Sequence, residues 1–319
     1  MTKVLVTGGA GYIGAHVAHE LLNEGYSVRI YDDFSNGLHK RVDGKFRDIV
    51  EGDILDREKL IQAMQGVDSV IHLAAKKAVE ESVKNPLKYY ENNVGGTLNL
   101  LAVMSVKAVK KIVFSSSAAV YSPNDKDAVE ETDPTVPLSP YGATKLLSEE
   151  LISSVGNAEK ISHISLRYFN VVGSAIPEFG DNSKDNLVPK VFLALKNGKR
   201  PEIYGTDYPT PDGTCIRDYI HVQDLAKAHV AALKRTESGF VSSIYNVGSG
   251  KGYSVREMMN QLSATIGRDV NPQESPARAG DSPKLIASIK KIESELGWKP
   301  IATLKEMIDS LWAAESSNS

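Results

Sequence analysis

The segment "VLVTGGAGYIGAH", residues 4–16, restricts what this chain can become more than any other stretch. A strand-like apolar run, "KVLVT", leads into Gly8, Gly11 and Gly14, and an apolar helical pattern follows at once. Glycines in a strand-to-helix turn let backbone N–H groups approach a pyrophosphate, and the positive end of the helix favours the anion. A tight turn alone also asks for glycine, so the pattern gains its force from what surrounds it. Asp32 ends the second strand-like run about 18 residues after Gly14, close to the roughly 20 that separate such a fingerprint from a ribose-binding acid. A carboxylate there accepts from both ribose hydroxyls and repels a 2′-phosphate, which favours NAD over NADP. Asp53 follows a weaker strand and either reaches the adenine or caps the helix "DREKLIQAM".

The rest of the first half keeps the rhythm that the glycine turn starts. "SVRIYD" (27–32), "SVIHLA" (69–74), "KIVFSS" (111–116) and "HISLRY" (163–168) are Val/Ile-rich, and "RDIVEGD" near 47–53 is a weaker sixth run. Unbroken apolar runs suit parallel strands covered on both faces. Alternation with helices such as "GAHVAHELLNEG" predicts an α/β fold with a Rossmann-type doubly wound parallel sheet. A long helix starts at Asn85–Pro86, since proline is tolerated in a first turn. Beyond residue 171, turn-rich pieces such as "GTDYPTPDGTC" separate shorter elements. A chain of 319 residues accommodates two compact units. The boundaries read as 1–171 for a dinucleotide-binding domain and 172–319 for a smaller mixed α/β domain, with residues around 216–236 packing back on the first. The terminal "ESSNS" reads as frayed.

Composition removes several function classes. Net charge is −3 with both signs interspersed, and no basic stripe carries aromatics between its charges, so a nucleic-acid partner is not expected. The single cysteine, Cys215, rules out an internal disulfide and suits a reducing, cytoplasmic setting. The seven histidines show no ligand spacing, so no metal is expected. The N-terminal apolar run is too short for a signal peptide, and none approaches the roughly 18 residues of a membrane span.

"SPYGATKLLSEE" puts Tyr141 four residues before Lys145 on a helical pattern. An isolated tyrosine titrates near 10, so ionising it at pH 7 costs roughly 4 kcal/mol. A lysine one turn away lies on the same face, and its charge would favour the phenolate. Ser117, last of the three serines in "FSSSAAVYS", can relay a proton because a hydroxyl both donates and accepts. Taken singly, each has a plain alternative: a core tyrosine, a solvated lysine, a strand-end serine. Together, after a complete dinucleotide fingerprint, they read as a proton-transfer group.

These residues resemble the extended short-chain dehydrogenase/reductase superfamily, and within it the UDP-glucose 4-epimerases. The likeness runs through nearly the whole chain: "GGAGYIG", "KAVEESVKNPLKYYENNVGGT", "FSSSAAVYS", "SPYGATK", "RYFNVVG", "YGTDYPTPDGTCIRDYIHVQDLAKAHV" and "YNVGSGKGYSV". It implies that Tyr141, Lys145 and Ser117 are catalytic. It implies a cofactor, NAD, held by Gly8, Gly11, Tyr12, Ile13, Gly14, Asp32, Asn36, Asp53, Ile54, Leu73, Ala74, Ala75, Lys77, Asn93, Ser115, Tyr141, Lys145 and Tyr168. For a UDP-sugar it implies Lys77, Ser117, Ala118, Ala119, Tyr141, Phe169, Asn170, Asn186, Leu187, Ile203, Tyr204, Arg217, Arg278, Asp281 and Leu285. Among these, Arg217 and Arg278 would clamp the diphosphate, Tyr204 would stack on uracil and Asp281 would hold the uridine ribose. The implied reaction inverts C4 through a 4-keto sugar while NAD is reduced and reoxidised in place, in a homodimer built on helices of the NAD domain.

The chain departs from the family pattern in places. Ala75–Lys76 stands where glycine and a hydrophobic residue are common, Ala119 where threonine is common, and Ser122 where glycine follows "VY". Leu285, at the sugar pocket's border, is intermediate between a large aromatic and a small residue, so acceptance of UDP-N-acetyl sugars stays open. A 4,6-dehydratase or decarboxylase of the same superfamily is one alternative, though Ser117–Ala118–Ala119 lacks the acidic pair of the dehydratases. A non-catalytic NAD-binding protein is the other. His221 reads as packing and Asp224 as a helix cap.

Overall fold

The computed structural model describes residues 1–122, 126–278 and 281–317. Its strands, in chain order, are β1 (Lys3–Thr7), β2 (Ser27–Asp32), β3 (Ile49–Glu51), β4 (Ser69–His72), β5 (Lys111–Ser115) and β6 (Ser162–Tyr168). They continue with β7 (Asn170–Val172), β8 (Glu202–Tyr204), β9 (Ile216–His221), β10 (Ser242–Val247), β11 (Gly252–Ser254), β12 (Gln273–Ser275) and β13 (Lys284–Leu285). Seven of these form one sheet in the order β10-β6-β5-β4-β1-β2-β3, every pair parallel.

Alternation along β1 shows why apolar runs become buried strands. Val4 and Val6 enter a core under the Tyr12–Asn23 and Val222–Glu237 helices, while Leu5 enters a second core with residues of the Arg57–Ala63, Gly96–Lys107 and Pro140–Glu159 helices. Helices therefore cover both faces of the sheet. The strand order turns back between β1 and β4, and in open α/β sheets that reversal leaves a crevice at the carboxyl ends of the strands.

One boundary differs from the sequence expectation. Ending the first unit at residue 171 misses β10, which pairs in parallel with β6 from Ser242↔His163 to Val247↔Tyr168. A parallel neighbour needs a crossover, and here the crossover runs through the second unit before returning as the Val222–Glu237 helix and β10. The second unit is mixed: β9 is flanked by β11 antiparallel and by β7 and β13 parallel, with β8–β12 as a separate pair. Its own core joins Val188, Val191, Ile203, Met258, Leu262, Met307 and Leu311.

Three further details depart from expectation. The helix from Pro86 contains a wider π turn at Tyr90–Gly95 before continuing as Gly96–Lys107; Asn93, on that turn, is buried. "ESSNS" is not wholly frayed, because the last helix reaches Ser317; residues 318 and 319 lie outside the described chain. His221 packs as expected, buried against Gly173, and in addition accepts from the backbone N–H of Gln223 to cap the Val222–Glu237 helix. Asp224, expected to be that cap, instead accepts from the N–H groups of Ile301 and Ala302. Among the described residues, no helix is long and apolar enough to cross a membrane.

Candidate active site

The glycine turn leaves β1 with each glycine under a different constraint. Gly8 has φ +72°, and a Cβ there would lie 2.7 Å from the amide nitrogen of Ala74. A Cβ on Gly14 would lie 2.1 Å from the Gly8 carbonyl oxygen, so both positions are closed by backbone. Gly11 differs: its Cβ would meet only that same oxygen, at 3.1 Å, and the space beyond the turn stays open. No side chain caps the helix that starts there, so its first N–H groups have no partner within their own helix end. An open cradle with unclaimed donors at a helix N-terminus suits a dinucleotide diphosphate.

Asp32 stands beside the cradle. Its carboxylate is buried and accepts from Ala10 N and Phe34 N, each at 2.9 Å, and burial raises its pKa. A carboxylate has about four acceptor sites, so capacity remains for a ribose diol. Asn36 follows on the exposed rim. Asp53 is exposed and accepts from Leu55 N; the cap of the following helix is Asp56, which accepts from Lys59 N. Ile54 is buried against Gly96. On the other side of β1, Leu73 N donates to Thr7 O, and Ala74 and Ala75 continue the wall. Asn93 fixes the next residue by accepting from Lys76 N and donating to Lys76 O, while Lys77 is exposed. Tyr12 directs its phenol away to the Gly173 carbonyl, so its backbone and that of Ile13 are what face the turn.

The carboxyl end of β5 carries "SSS", and each serine has a separate task. Ser115 O accepts from the Lys145 ammonium at 2.8 Å, and Ser115 Oγ bonds His229 Nε2 at 2.8 Å. Ser116 Oγ donates to Glu149. Ser117 Oγ accepts from Ala119 N and stands beside the Tyr141 phenol, whose pKa burial raises while Ser117 opposes the rise. Ser139 caps the Pro140–Glu159 helix, so Tyr141 and Lys145 fall in its first two turns, both buried. Tyr168 ends β6, and burial raises the pKa of its phenol.

The electrostatics differ from the expectation that Lys145 holds Tyr141 ionised. Burial is the largest influence on the phenol and raises its pKa; Ser117 is what opposes it. Lys145 is itself pushed down to about 7 by burial, with Glu149 resisting, and its ammonium lies 4.9 Å from the Phe114 ring centre. Spacing placed lysine and tyrosine on one helix face but carried no information about how dry that face becomes.

The sugar-side residues lie at the same carboxyl edge or on the second unit above it. Phe169 is buried with Ala118 and Tyr121, and Leu285 packs against that cluster. Leu285 pairs in register with Arg217, and the Arg217 guanidinium lies 3.6 Å from Asp281. Arg278 stacks on the ring of Tyr204 at 3.9 Å, and the neighbouring Ile203 is fully buried. Asn186 donates to Asp181 at the start of the Leu187–Lys196 helix, and Asn170 is exposed at the start of β7.

The NAD dependent epimerase/dehydratase family model matches residues 4–248. This chain belongs to that family. A UDP-glucose 4-epimerase of Lacticaseibacillus casei is 41% identical over 97% of this chain and 95% of its own length. A crystal structure of UDP-glucose 4-epimerase from Brucella ovis in complex with NAD is 39% identical, covers 97% of each chain and superposes with a TM-score of 0.92. The Bifidobacterium longum UDP-glucose 4-epimerase, in complex with NAD+ and UDP, is 40% identical over 99% of each chain with a TM-score of 0.92.

Within this epimerase fold, sequence reasoning passed over the groups that hold the serines. Arg167 donates to both oxygens of Glu149, at 2.7 to 3.2 Å, and to Tyr121, whose hydroxyl donates to Asn246; all four are buried. One signal was present: Glu149 follows Lys145 by four residues and shares its helix face.

Proposed function

We propose that this chain interconverts UDP-glucose and UDP-galactose by inverting C4 through a transient 4-keto sugar. The observation that carries this reading is the buried Tyr141–Ser117 pair at the sheet's carboxyl edge, where the open glycine cradle also lies. NAD held in the cradle would supply the hydride acceptor and donor that the inversion needs. The chain does the rest. The N–H groups at Gly11 and the following helix hold the diphosphate, and Asp32 holds the adenosine ribose. Tyr141 takes the C4 hydroxyl proton and later returns it, with Ser117 relaying. Lys145, tied to Ser115 O, aligns the serine loop with the helix, and its ammonium, which burial pushes down to about 7, gains or loses its proton close to neutral pH.

The keto sugar must present its other face before the hydride returns, so the nucleotide is gripped more firmly than the hexose. Arg217, Arg278, Asn170 and Asn186 serve the diphosphate, and Tyr204 and Asp281 serve the uridine. Ala118 and Ala119, in the short turn after Ser117, leave room and offer no carboxylate for elimination, which argues against a 4,6-dehydratase. Leu285, of intermediate size, leaves space for some UDP-N-acetyl sugar. The working unit is a cytoplasmic homodimer joined through NAD-domain helices, a reading supported by Leu87, Leu98 and Val106, which stay 83%, 55% and 68% exposed on the helix after Pro86.

Proton NMR of UDP-galactose incubated with purified protein and no added NAD tests the reaction. The expected product is UDP-glucose; a 6-deoxy-4-keto sugar, or unchanged substrate, contradicts it.

A further inference from the structure

Lys76 occupies a position where hydrophobic residues are common among the epimerases that this chain resembles, and the structure shows where its charge goes. The side chain is only 21% exposed; its ammonium lies 3.2 Å from Ser35 Oγ and 3.9 Å from Asp33 Oδ2. Its backbone is held at both polar groups by the amide of Asn93, which is itself buried and tied to Thr144. The direction of the lysine is therefore set by a fixed base.

What the contact spans follows from the topology. Lys76 leaves the carboxyl end of β4, and Ser35 follows the carboxyl end of β2. Those two strands are the neighbours of β1 on either side, so a link between their loops crosses the end of β1, where the glycine turn lies. The turn touches both sides: Gly8 lies against Ala74, and Ala10 N donates to Asp32. Lys76–Ser35 closes a ring of contacts over about two strand spacings, roughly 10 Å.

Charge gives the link a purpose. Asp32, Asp33, Glu51, Asp53 and Asp56 gather at the ends of β2 and β3, and after burial, the larger cause, Asp56, Asp53 and Asp33 raise the Tyr31 phenol further. A doubly anionic diphosphate entering beside this rim is repelled; the dipoles of the glycine turn and the buried Arg41, which donates to Ala10 O within that turn, oppose the repulsion from below, and Lys76 opposes it from the mouth.

We propose that Lys76 is a cationic strap across the mouth of the dinucleotide cradle, which offsets the diphosphate charge and slows the release of bound NAD. The proposal rests on the NAD-binding reading above. Release is measured directly, by chasing NAD from purified holoprotein with an excess of a spectroscopically distinct analogue, at about 50 mM and about 500 mM salt. Lys76→Met is expected to release NAD about 5-fold faster than wild type at low salt, the size of an ordinary partly exposed charge contact. The gap is expected to close at high salt, and Lys76→Arg is expected to stay near wild type. A Lys76→Met rate equal to wild type, or a difference that salt does not reduce, overturns the strap. Wild-type protein that holds no NAD overturns the cofactor reading and the strap with it; wild-type protein that holds NAD beside an unchanged Lys76→Met rate overturns the strap alone.

Discussion

A Cβ at Gly142 would stand 2.3 Å from the carbonyl oxygen of Ala119. That contact sets how closely the first turn of the Pro140–Glu159 helix approaches the turn after Ser117, and so how closely Tyr141 meets Ser117. Gly142→Ala must push the two apart. Misplacement on the order of 1 Å can cost about 10²-fold in rate, and kcat for UDP-galactose is expected to fall by about that factor while bound NAD stays at the wild-type level. Steady-state assay and the NAD content of the purified variant check both halves.

The glycine turn separates packing from ligand approach. Gly14→Ala forces a methyl against Gly8 O, and its melting temperature is expected to fall by several degrees even before NAD is considered. Gly11→Ala meets only one atom, at 3.1 Å, in an extended backbone at φ −69°, so its fold should melt close to wild type while NAD affinity drops about tenfold or more. Thermal melts of the apo variants, set beside NAD titrations, distinguish the two positions.

Acid should destabilise the fold earlier than its carboxylates alone require. Burial lowers His16 to about 3, His72 to about 3 and His229 to about 4. Unfolded histidines take up protons near 6.5, so the unfolded state binds more protons between there and the folded values. The stability that these histidines contribute is therefore whole above about pH 6.5 and drains away as pH falls below it. Asp218, raised to about 6 by burial, works in the opposite direction over part of that window. The balance is a loss of roughly 3 kcal/mol per pH unit near pH 5. Urea melts at pH 7, 6 and 5 measure the slope, and His72→Asn should lower it by about one proton.

Leu285 packs against the Ala118–Tyr121–Phe169 cluster and borders the proposed sugar site. Leu285→Tyr fills that border. Its kcat/KM for UDP-N-acetylgalactosamine is expected to drop about 10-fold or more relative to UDP-galactose, within the range that pocket volume commands. Competition between the two substrates in one NMR tube reads the ratio directly.

Legibility in the sequence followed from how local each cause was. Gly8–Gly14, Asp32 and the apolar runs of β1, β2, β4, β5 and β6 announce themselves because strand period, turn chemistry and helix start are near-neighbour effects. β10 did not, since its partner β6 lies about 80 residues away and only the crossover helix places them side by side. The helix cap supplied by His221 in place of Asp224 was equally hidden: Asp224 is claimed by backbone at Ile301 and Ala302, which no local pattern foretells. Tyr141 and Lys145 were found by spacing, but their electrostatics depend on burial that assembles only in three dimensions.

The proposed reaction turns on the Tyr141 phenol moving the sugar's proton. Tyr141→Phe keeps the ring and removes the oxygen, so turnover of UDP-galactose by the purified, NAD-containing variant measures that role with little disturbance to packing. The expected kcat is lower by about 10³-fold, within the range for a lost acid/base, with bound NAD unchanged. Turnover within a few-fold of wild type would contradict that role.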